Sequence, residues 1–295
     1  MSEPPKDAKV ILKREFEQSI KADFRPDGTR QTYSDFLRVD QLLSLQQAIQ
    51  DPPQRDELCF IIIHQVGELW FKLFHAELSE ACACIRQDDL KTCNKIMARI
   101  KAIEEQLISA WKVLLTMTTA EFQSFRGALG QSSGFQSWGY RQLEFALGNK
   151  DAEHLKLHRH DPAAMEKLRK ALDEPSIYDE VLACLKRRGF PVPAAVLERD
   201  LREPYAGNAE VVAIWCEIFR DHDRYWDLYD LAEKLMDVEG LFQRWRFDHV
   251  SAVERIIGHQ KGTGGSSGVG YLKAALNLRF FHDLYEVRNA LYEKR

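Results

Sequence analysis

The 295-residue sequence lacks the marks of a secreted, membrane-spanning or nucleic-acid-binding protein. No apolar run approaches the length of a membrane span, and the longest core-like stretch is "LCFIIIH". The opening "MSEPPKDAKVILKREFEQ" is charged and has no apolar segment of the kind found in secretory signals. The 41 basic and 45 acidic residues nearly balance, so no basic footprint for nucleic acid is present. We therefore expect a cytoplasmic protein without nucleic-acid or membrane partners.

Paired cysteine motifs are also missing from the sequence. There is no CxxC pair, which argues against a thiolate zinc site, and no CxxCH motif, which excludes covalent attachment of a c-type haem. Most of the cysteines lie within helical patterns, so we predict reduced, buried side chains that act as small hydrophobes. They are Cys59, Cys82, Cys84, Cys93, Cys184 and Cys216.

Alternating strand patterns are almost absent, and helical periodicity dominates the chain, which predicts an all-α fold. Residues 1–28 are predicted to form a flexible polar arm, and residues 29–295 a single all-α domain. The helical pattern begins at "YSDFLRVDQ", where Ser34 or Asp35 is a candidate cap. Long helices follow from about 56 to 87 and from about 89 to 117. Shorter helices across 151–210 are predicted to form a lid or insertion, and two long helices to span 208–258.

The stretch "GHQKGTGGSSGVGYLK", residues 258–273, is a glycine-rich loop between helical patterns. A phosphate-binding P-loop needs a preceding strand and a closing Gly-Lys-Ser/Thr, whereas here Lys261 precedes the glycines and a helix precedes the loop. A dinucleotide-binding fingerprint also needs a preceding strand. Two interpretations remain, a surface linker or a ligand-binding loop whose donors are the hydroxyls of Thr263, Ser266 and Ser267.

Two histidines lie on apolar helical faces. His64 shares its face with aromatic and apolar residues three and four positions apart, and so does His249. A lone histidine in such a place is usually a core residue, but two on separate helices favour a cofactor held between them. The faces comprise Phe60, His64, Gly67, Phe71, Phe74 and Leu78, and Phe242, Trp245, His249, Val253 and Ile256.

The residue types leave several cofactors open. His64 with Glu68, and Glu254 near His249, allow a two-histidine, one-carboxylate iron site. The run "HLKLHRH", which contains His154, His158 and His160, is a weaker metal-binding candidate than a solvated helix end. Haem needs one axial histidine and aromatic walls, and the aromatic density around both apolar faces favours it.

Arg126 lies among phenylalanines in "AEFQSFRGAL". It is either a surface residue or a clamp for a carboxylate, since its planar fork binds that group through two hydrogen bonds.

Three long motifs in this order resemble the tryptophan 2,3-dioxygenase family. They are "FIIIHQVGELWFK", "FRGALGQSSGFQSWGYRQLEFALGN" and "HVSAVERIIGHQKGTGGSSGVGYLK", and the similarity runs from about Tyr33 to the helix after the glycine-rich loop. The resemblance implies an all-α, cytoplasmic homotetramer with one non-covalent haem b per subunit. It also implies cleavage of the indole C2=C3 bond of L-tryptophan by O₂, which gives N-formyl-L-kynurenine in the first step of tryptophan degradation.

The resemblance also implies roles for individual residues. His249 corresponds to the axial haem ligand, and His64 to the catalytic distal histidine that contacts the indole N–H. Arg126 and Thr263 correspond to the residues that bind the substrate's carboxylate and ammonium groups. The indole-pocket walls correspond to Phe60 and Phe122, and a neighbouring subunit is expected to supply Tyr33, Phe36 and Leu37.

Some members of the family carry tyrosine where this sequence has Phe36 and Phe122. These departures remove a hydroxyl but keep the ring, so they bear on fine tuning of the site. Two other functions stay open beside the dioxygenase, namely a haem protein that inserts one oxygen into a substituted indole and a non-catalytic haem-binding sensor.

Overall fold

The structure, a computed structural model, describes residues 6–21 and 32–292, and the chain divides into two compact units, Met1–Gln47 and Ala48–Arg295. The first unit contains helices α1 (Lys6–Lys21), α2 (Tyr33–Leu37) and α3 (Val39–Leu43). Helix α1 therefore falls inside the predicted arm, whose other residues lie outside the described ranges. That residues 29–295 act as a single catalytic domain stays a prediction.

The first helical segment after the arm begins differently from our expectation. Thr32, and neither Ser34 nor Asp35, is the N-cap of α2: its side chain accepts a hydrogen bond from the Asp35 backbone N–H, and Asp35 bonds back to the Thr32 backbone. This reciprocal pair satisfies two N–H groups that a helix start leaves open. The segment then breaks at Arg38, whose φ of 55° is left-handed, so two short helices replace one.

The second unit contains eleven α-helices, α4 to α14, and the described residues of the chain include no strand, which confirms the all-α fold. The helices are α4 (Arg55–Arg86), α5 (Leu90–Leu114), α6 (Thr119–Arg126), α7 (Trp138–Leu147), α8 (Pro162–Asp173), α9 (Ile177–Arg187), α10 (Ala194–Leu197), α11 (Ala209–Arg220), α12 (Trp226–Ile257), α13 (Val269–Ala275) and α14 (His282–Tyr292). Short 3₁₀ turns occur at Gly127–Leu129, Gly134–Gln136 and Ala152–His158.

The long helices α4, α5 and α12 pack side by side and form the framework of the second unit. Helix α5 starts where Asp89 accepts a hydrogen bond from the Thr92 backbone N–H, a 3.1 Å N-cap contact that fixes the turn after α4. Apolar side chains of α4, α5, α9, α11, α12 and α14 form one continuous core. All six cysteines are free, and five are buried as the sequence predicted, whereas Cys59 is only partly buried.

The short helices between residues 151 and 210 are present, and they are anchored to the rest of the unit. Helix α9 contributes to the main core through Ile177 and Leu185, among others. The buried Lys150 ammonium donates to the carbonyls of Ala171, Leu172 and Glu174 at 2.6–2.9 Å, which caps the C-terminal end of α8. Within the described ranges, no helix is both long and apolar enough to cross a membrane.

Candidate active site

A cavity of about 300 Å³ lies among helices α4, α5, α6, α7, α12 and α13 of the second unit. That volume is in the range of small-molecule sites. The two apolar faces recognised in the sequence both reach it, because Phe60, His64, Gly67 and Phe71 line one side and the face of His249 lines another. The predicted sharing of faces on α4 and α12 is therefore confirmed.

His64 is tied to its own helix by one ring nitrogen. Its Nδ1 lies 2.7 Å from the Phe60 carbonyl oxygen one turn earlier, and since a carbonyl only accepts, Nδ1 carries the proton. The other nitrogen, Nε2, is then a free acceptor. Solvent in the cavity reaches the ring, yet the surrounding protein desolvates it and lowers its pKa below the usual value, against a smaller opposing effect of the Phe60 carbonyl. The imidazole is therefore neutral at neutral pH.

His249 is held by aromatic rings. The indole of Trp111 stacks on it with ring centroids 4.7 Å apart and 12° between the planes, and Trp245 lies at 5.6 Å with a 45° tilt. Desolvation and, to a smaller extent, the charge of His64 lower the pKa of His249 to about 4. No hydrogen bond among the described residues involves its ring. A neutral imidazole with free nitrogens is the form that binds a metal ion.

Phenylalanines form the wall beside His64. The Phe60 ring is 4.1 Å from the His64 ring and 5.8 Å from that of Phe122, and the Phe122 and Phe125 rings meet edge to face at 5.3 Å. Helix α6, which carries the last two, is fixed at its start by a capping box between Thr118 and Glu121. This wall is apolar and aromatic, which suits an aromatic ligand.

Arg126 ends α6 and reaches the glycine-rich loop. Its Nη2 donates to the Lys261 carbonyl at 2.7 Å. No ion pair among the described residues uses Arg126, so its remaining N–H groups can bind an incoming carboxylate. The loop is also attached on its other side, where Thr263 Oγ1 donates to the Ser132 carbonyl.

Two glycines allow the loop to adopt this position. Gly268 has a left-handed φ of 64°, and a Cβ there would lie 2.5 Å from the Gln260 carbonyl oxygen. A Cβ on Gly264 would lie 2.8 Å from the Cβ of Ser133. Any larger residue at either position would displace the loop. The loop thus packs against the segment of Ser132 and Ser133, and Thr263 lines the cavity with Arg126.

The sequence reasoning missed a charged end of the cavity. Arg141 and Arg246 both pair with Glu144, at 2.8 Å for Arg246 Nη2, and Arg141 also donates to the Tyr271 hydroxyl at 3.0 Å. All three charged side chains are buried. Burial alone would raise the pKa of Glu144, but the two guanidinium groups lower it overall. The network therefore keeps one net positive charge at the cavity.

A signal for this end was present in the motif "GYRQLEFALGN", because Arg141 and Glu144 are three residues apart on one helix. Arg246 was unrecognisable as their partner, since it is 102 residues further along the chain from Glu144.

The other metal-binding candidates are not assembled. Among the described residues no group of three or more His, Cys, Asp or Glu side chains is placed to hold a metal ion. Glu68 accepts a 2.6 Å hydrogen bond from Ser137 Oγ, and Glu254 pairs with Lys273 at 3.0 Å. Of the "HLKLHRH" histidines only His154 lines the cavity, and the imidazole of His259 is 82% exposed.

The residues expected to serve a neighbouring subunit belong to the N-terminal unit. Tyr33, Phe36 and Leu37 form part of α2, and their side chains are 76%, 71% and 43% exposed. Exposed aromatic rings close together in sequence are typical of surfaces that another chain covers. Their role in a neighbour's site stays a prediction.

Comparison with known proteins gives one consistent result. The family model described as tryptophan 2,3-dioxygenase matches residues 17–172 and 159–291. Proteins named tryptophan 2,3-dioxygenase from Bacillus thuringiensis (strain Al Hakam) and Myxococcus xanthus are each 47% identical to this chain. The alignments cover 96% of the chain and 98% of the Bacillus protein, and 95% of both chains for Myxococcus. A third, from Exiguobacterium sibiricum, is 47% identical over 93% of the chain and 97% of its own length. The chain belongs to the tryptophan 2,3-dioxygenase family.

Proposed function

We propose that this protein is a haem-dependent dioxygenase that cleaves the indole C2=C3 bond of L-tryptophan with O₂ and forms N-formyl-L-kynurenine. One observation carries the proposal: a single cavity brings together His64, Arg126, His249 and Thr263, which come from three separate parts of the chain. Membership of the family supports the same reaction.

The residues around the cavity fit a haem b group. His249 offers a neutral imidazole, the usual axial ligand of a haem, and two tryptophan rings pack against it. At the charged end, Arg141 and Arg246 outnumber Glu144, and the Nε of Arg141 has no hydrogen-bond partner among the described residues. That end suits the negatively charged carboxylates of a haem. When bound, the haem iron supplies the activation of O₂.

The non-haem alternative has weaker support in the same geometry. A two-histidine, one-carboxylate site needs a free carboxylate beside the histidines. Glu68 is engaged by Ser137, and Glu254 does not line the cavity. We therefore propose haem as the cofactor, one per subunit and bound without a covalent link.

The protein's own contribution is to orient the substrate. His64 Nε2 accepts the indole N–H, while Phe60 and Phe122 hold the flat ring. Indole N–H is a very weak acid, so His64 acts as an orienting partner and not as an obligatory base. Arg126 binds the carboxylate through N–H groups that the Lys261 carbonyl leaves free, and Thr263 contacts the polar end as well.

We infer that the glycine-rich loop is a lid that substrate holds closed. Its contacts in this structure, Arg126 to Lys261 and Thr263 to Ser132, are few and lie at the polar end of the proposed substrate site. A ligand that engages Arg126 and Thr263 adds contacts to the closed form and shifts the population toward it. L-tryptophan should therefore protect the chain from trypsin at the exposed Lys261, whereas indole should protect it much less. Equal cleavage with and without saturating L-tryptophan would contradict the lid.

We also propose a cytoplasmic homotetramer in which α2 of one chain completes a neighbour's site. Besides the exposed residues of α2, helix α4 carries an exposed apolar stripe that would be covered in an assembly, namely Leu58, Ile62, Val66, Leu69 and Leu73. The free cysteines are consistent with a reducing compartment. Deleting residues 1–40 should lower both assembly and turnover, and a fully active monomer in light scattering would overturn this part of the proposal.

The reaction is tested with purified ferrous protein, L-tryptophan and ¹⁸O₂. Mass spectrometry should find two labelled oxygen atoms in the N-formylkynurenine formed. A product with one labelled atom would indicate a monooxygenase. If haem-loaded protein forms no product, the alternative of a non-catalytic haem sensor or carrier would be supported. Arg126 and the lid favour the enzyme, because a haem carrier needs neither.

A further inference from the structure

Trp111 makes a contact with His249 that differs in geometry from the contact of Trp245 with the same ring. It lies on α5, and its indole is nearly parallel to the imidazole at 12° and 4.7 Å, whereas Trp245 is tilted by 45°. Both tryptophans line the cavity. The Trp111 indole covers one face of the ring that we assign as the axial ligand.

The polar atoms of the two residues do not explain this pairing. A metal-binding histidine is usually oriented by a hydrogen bond from its second ring nitrogen, but none of the hydrogen bonds between described residues involves His249. The Nε1 of Trp111 is shielded from solvent and also lacks an acceptor there. A leucine or phenylalanine would fill the core without leaving an N–H unpaired. Trp111 therefore contacts His249 through the face of its indole ring and not through its N–H group.

We propose that Trp111 is a positioning residue that sets the plane of the His249 imidazole through stacking. This inference rests on the proposed function, since it concerns the ligand of the haem iron. Rotation of the imidazole about its Cβ–Cγ bond would drive a ring edge into the indole face. The stack thereby fixes the direction of the nitrogen lone pair. That direction would set the orientation of the bond from His249 to a bound haem iron, and so would influence the reduction potential of the iron.

The test replaces Trp111 by leucine and methionine, which remove the ring, and by phenylalanine, which keeps one. Trp70→Leu is the matched control, because Trp70 packs against the main core and does not line the cavity. The readouts are the iron–histidine stretching band of the ferrous protein, its reduction potential, and the rate of haem transfer to apomyoglobin. None of these depends on turnover.

We expect W111L and W111M to broaden and shift the stretching band, to change the potential, and to release haem about fivefold faster, which corresponds to about 1 kcal/mol at 25 °C for one ring pair. W111F should restore most of the native values, and W70L should match them. Two non-aromatic variants are used so that poor folding of one does not decide the result. Native values for the band, the potential and the release rate in a haem-loaded W111L or W111M would overturn the inference.

The outcome separates this inference from the proposed function. If the native protein shows no histidine-ligated haem band, the proposed function fails. If the native band is present and removal of the indole leaves it unchanged, only the role of Trp111 fails.

Discussion

Helices α4 and α12 are each 32 residues long and each brings one histidine into the cavity, but they hold it in different ways. On α4, the ring of His64 is tied to the Phe60 carbonyl, and solvent in the cavity reaches it. On α12, the ring of His249 has no hydrogen bond to any described residue, and the rings of Trp111 and Trp245 pack against it and against each other. One histidine therefore presents a single hydrogen-bond acceptor, and the other presents nitrogens suited to a metal ion.

The difference extends along both helices. The buried side chains of α4, apart from Glu57, begin at Phe71, and its N-terminal half has an exposed apolar stripe. Helix α12 is buried at intervals from Leu228 to Ile256. In the proposed roles, the metal ligand is carried by the more enclosed helix, and the residue that meets exchanging substrate by the more open one. Single substitutions on α12, α6 and α4 test this division of roles.

Loss of the α12 histidine should have the largest effect. His249→Ala removes the proposed axial ligand, so we expect loss of most haem and of turnover, measured as the haem-to-protein ratio and as product formation. His259→Ala is the control, since the exposed His259 is ten residues along and pairs with Glu254. If H249A keeps its haem and activity while H259A loses both, the roles assigned to α12 are wrong.

Arg126 tests whether the polar end of the substrate is bound apart from both histidines. Arg126→Lys should lower kcat/KM for L-tryptophan by about a hundredfold, much of it through KM, because lysine lacks the planar fork that binds a carboxylate through two bonds. Tryptamine, which has no carboxylate, should be a poor substrate of the native protein. Arg255→Lys, at an exposed site near the end of α12, serves as control. Equal kinetics of R126K and the native protein would mean that the clamp lies elsewhere.

His64 should matter less than either of these residues. His64→Ala removes one neutral hydrogen bond, which contributes about 1 kcal/mol, so kcat/KM should fall by roughly fivefold. His75→Ala on the same helix is the control, as His75 does not line the cavity. A decrease much larger than this would indicate that His64 acts as a base, and almost no change in turnover or KM would remove its role.

The pH dependence sharpens the same assignment. Desolvation holds the pKa of His64 below its usual value, so Nε2 accepts a hydrogen bond at neutral pH and loses that ability only as the pH falls through the lowered pKa. The native kcat/KM should contain this acidic limb, and H64A should lack it. The limb is measured as the ratio of native to H64A kcat/KM across the acidic range.

Periodicity in the sequence was sufficient for the two histidine-bearing faces. The side chains of Phe60 and His64, and of Trp245 and His249, recur at helical spacing, so α4 and α12 were predictable as walls of the cavity. The cap at Thr32 and the left-handed Arg38 were not predicted, since both depend on local hydrogen bonds that periodicity does not report. Residue roles came from the family resemblance and not from spacing.

The charged end of the cavity and the stack on His249 were beyond the reach of sequence reasoning for a different reason. Arg246 meets Glu144 and Trp111 meets His249 only after α12 packs against α5 and α7. A single sequence contains no record of which distant side chains will face each other. The Trp111 contact in particular joins two positions that are each ordinary members of an apolar face.

The prediction with the smallest expected effect on activity concerns a buried carboxyl group on α5, at its contact with the enclosed helix α12. Glu104 is 1% exposed, and neither of its carboxyl oxygens has a hydrogen-bond partner among the described residues. Desolvation, together with the charges of Glu239 and Asp237 on α12, raises its pKa well above the usual value. The folded protein therefore holds a proton at Glu104 that the unfolded chain releases at lower pH.

This raised pKa makes stability depend on pH in a defined direction. Stability is favoured below the unfolded pKa of about 4.3 and declines as the pH rises toward the folded pKa, by about 1.4 kcal/mol per pH unit within that window. The glutamine of Glu104→Gln cannot titrate, so the difference between the native and variant free energies of unfolding should change with pH at this slope. Urea denaturation of the apoproteins from pH 4 upward measures both free energies. Glu105→Gln, on the exposed side of α5, should keep the native slope. If the free energies of unfolding of E104Q and the native protein change in parallel with pH, Glu104 is ionised in the folded protein. The contact between α5 and α12 would then be open to water, and α12 would not be the more enclosed of the two histidine-bearing helices.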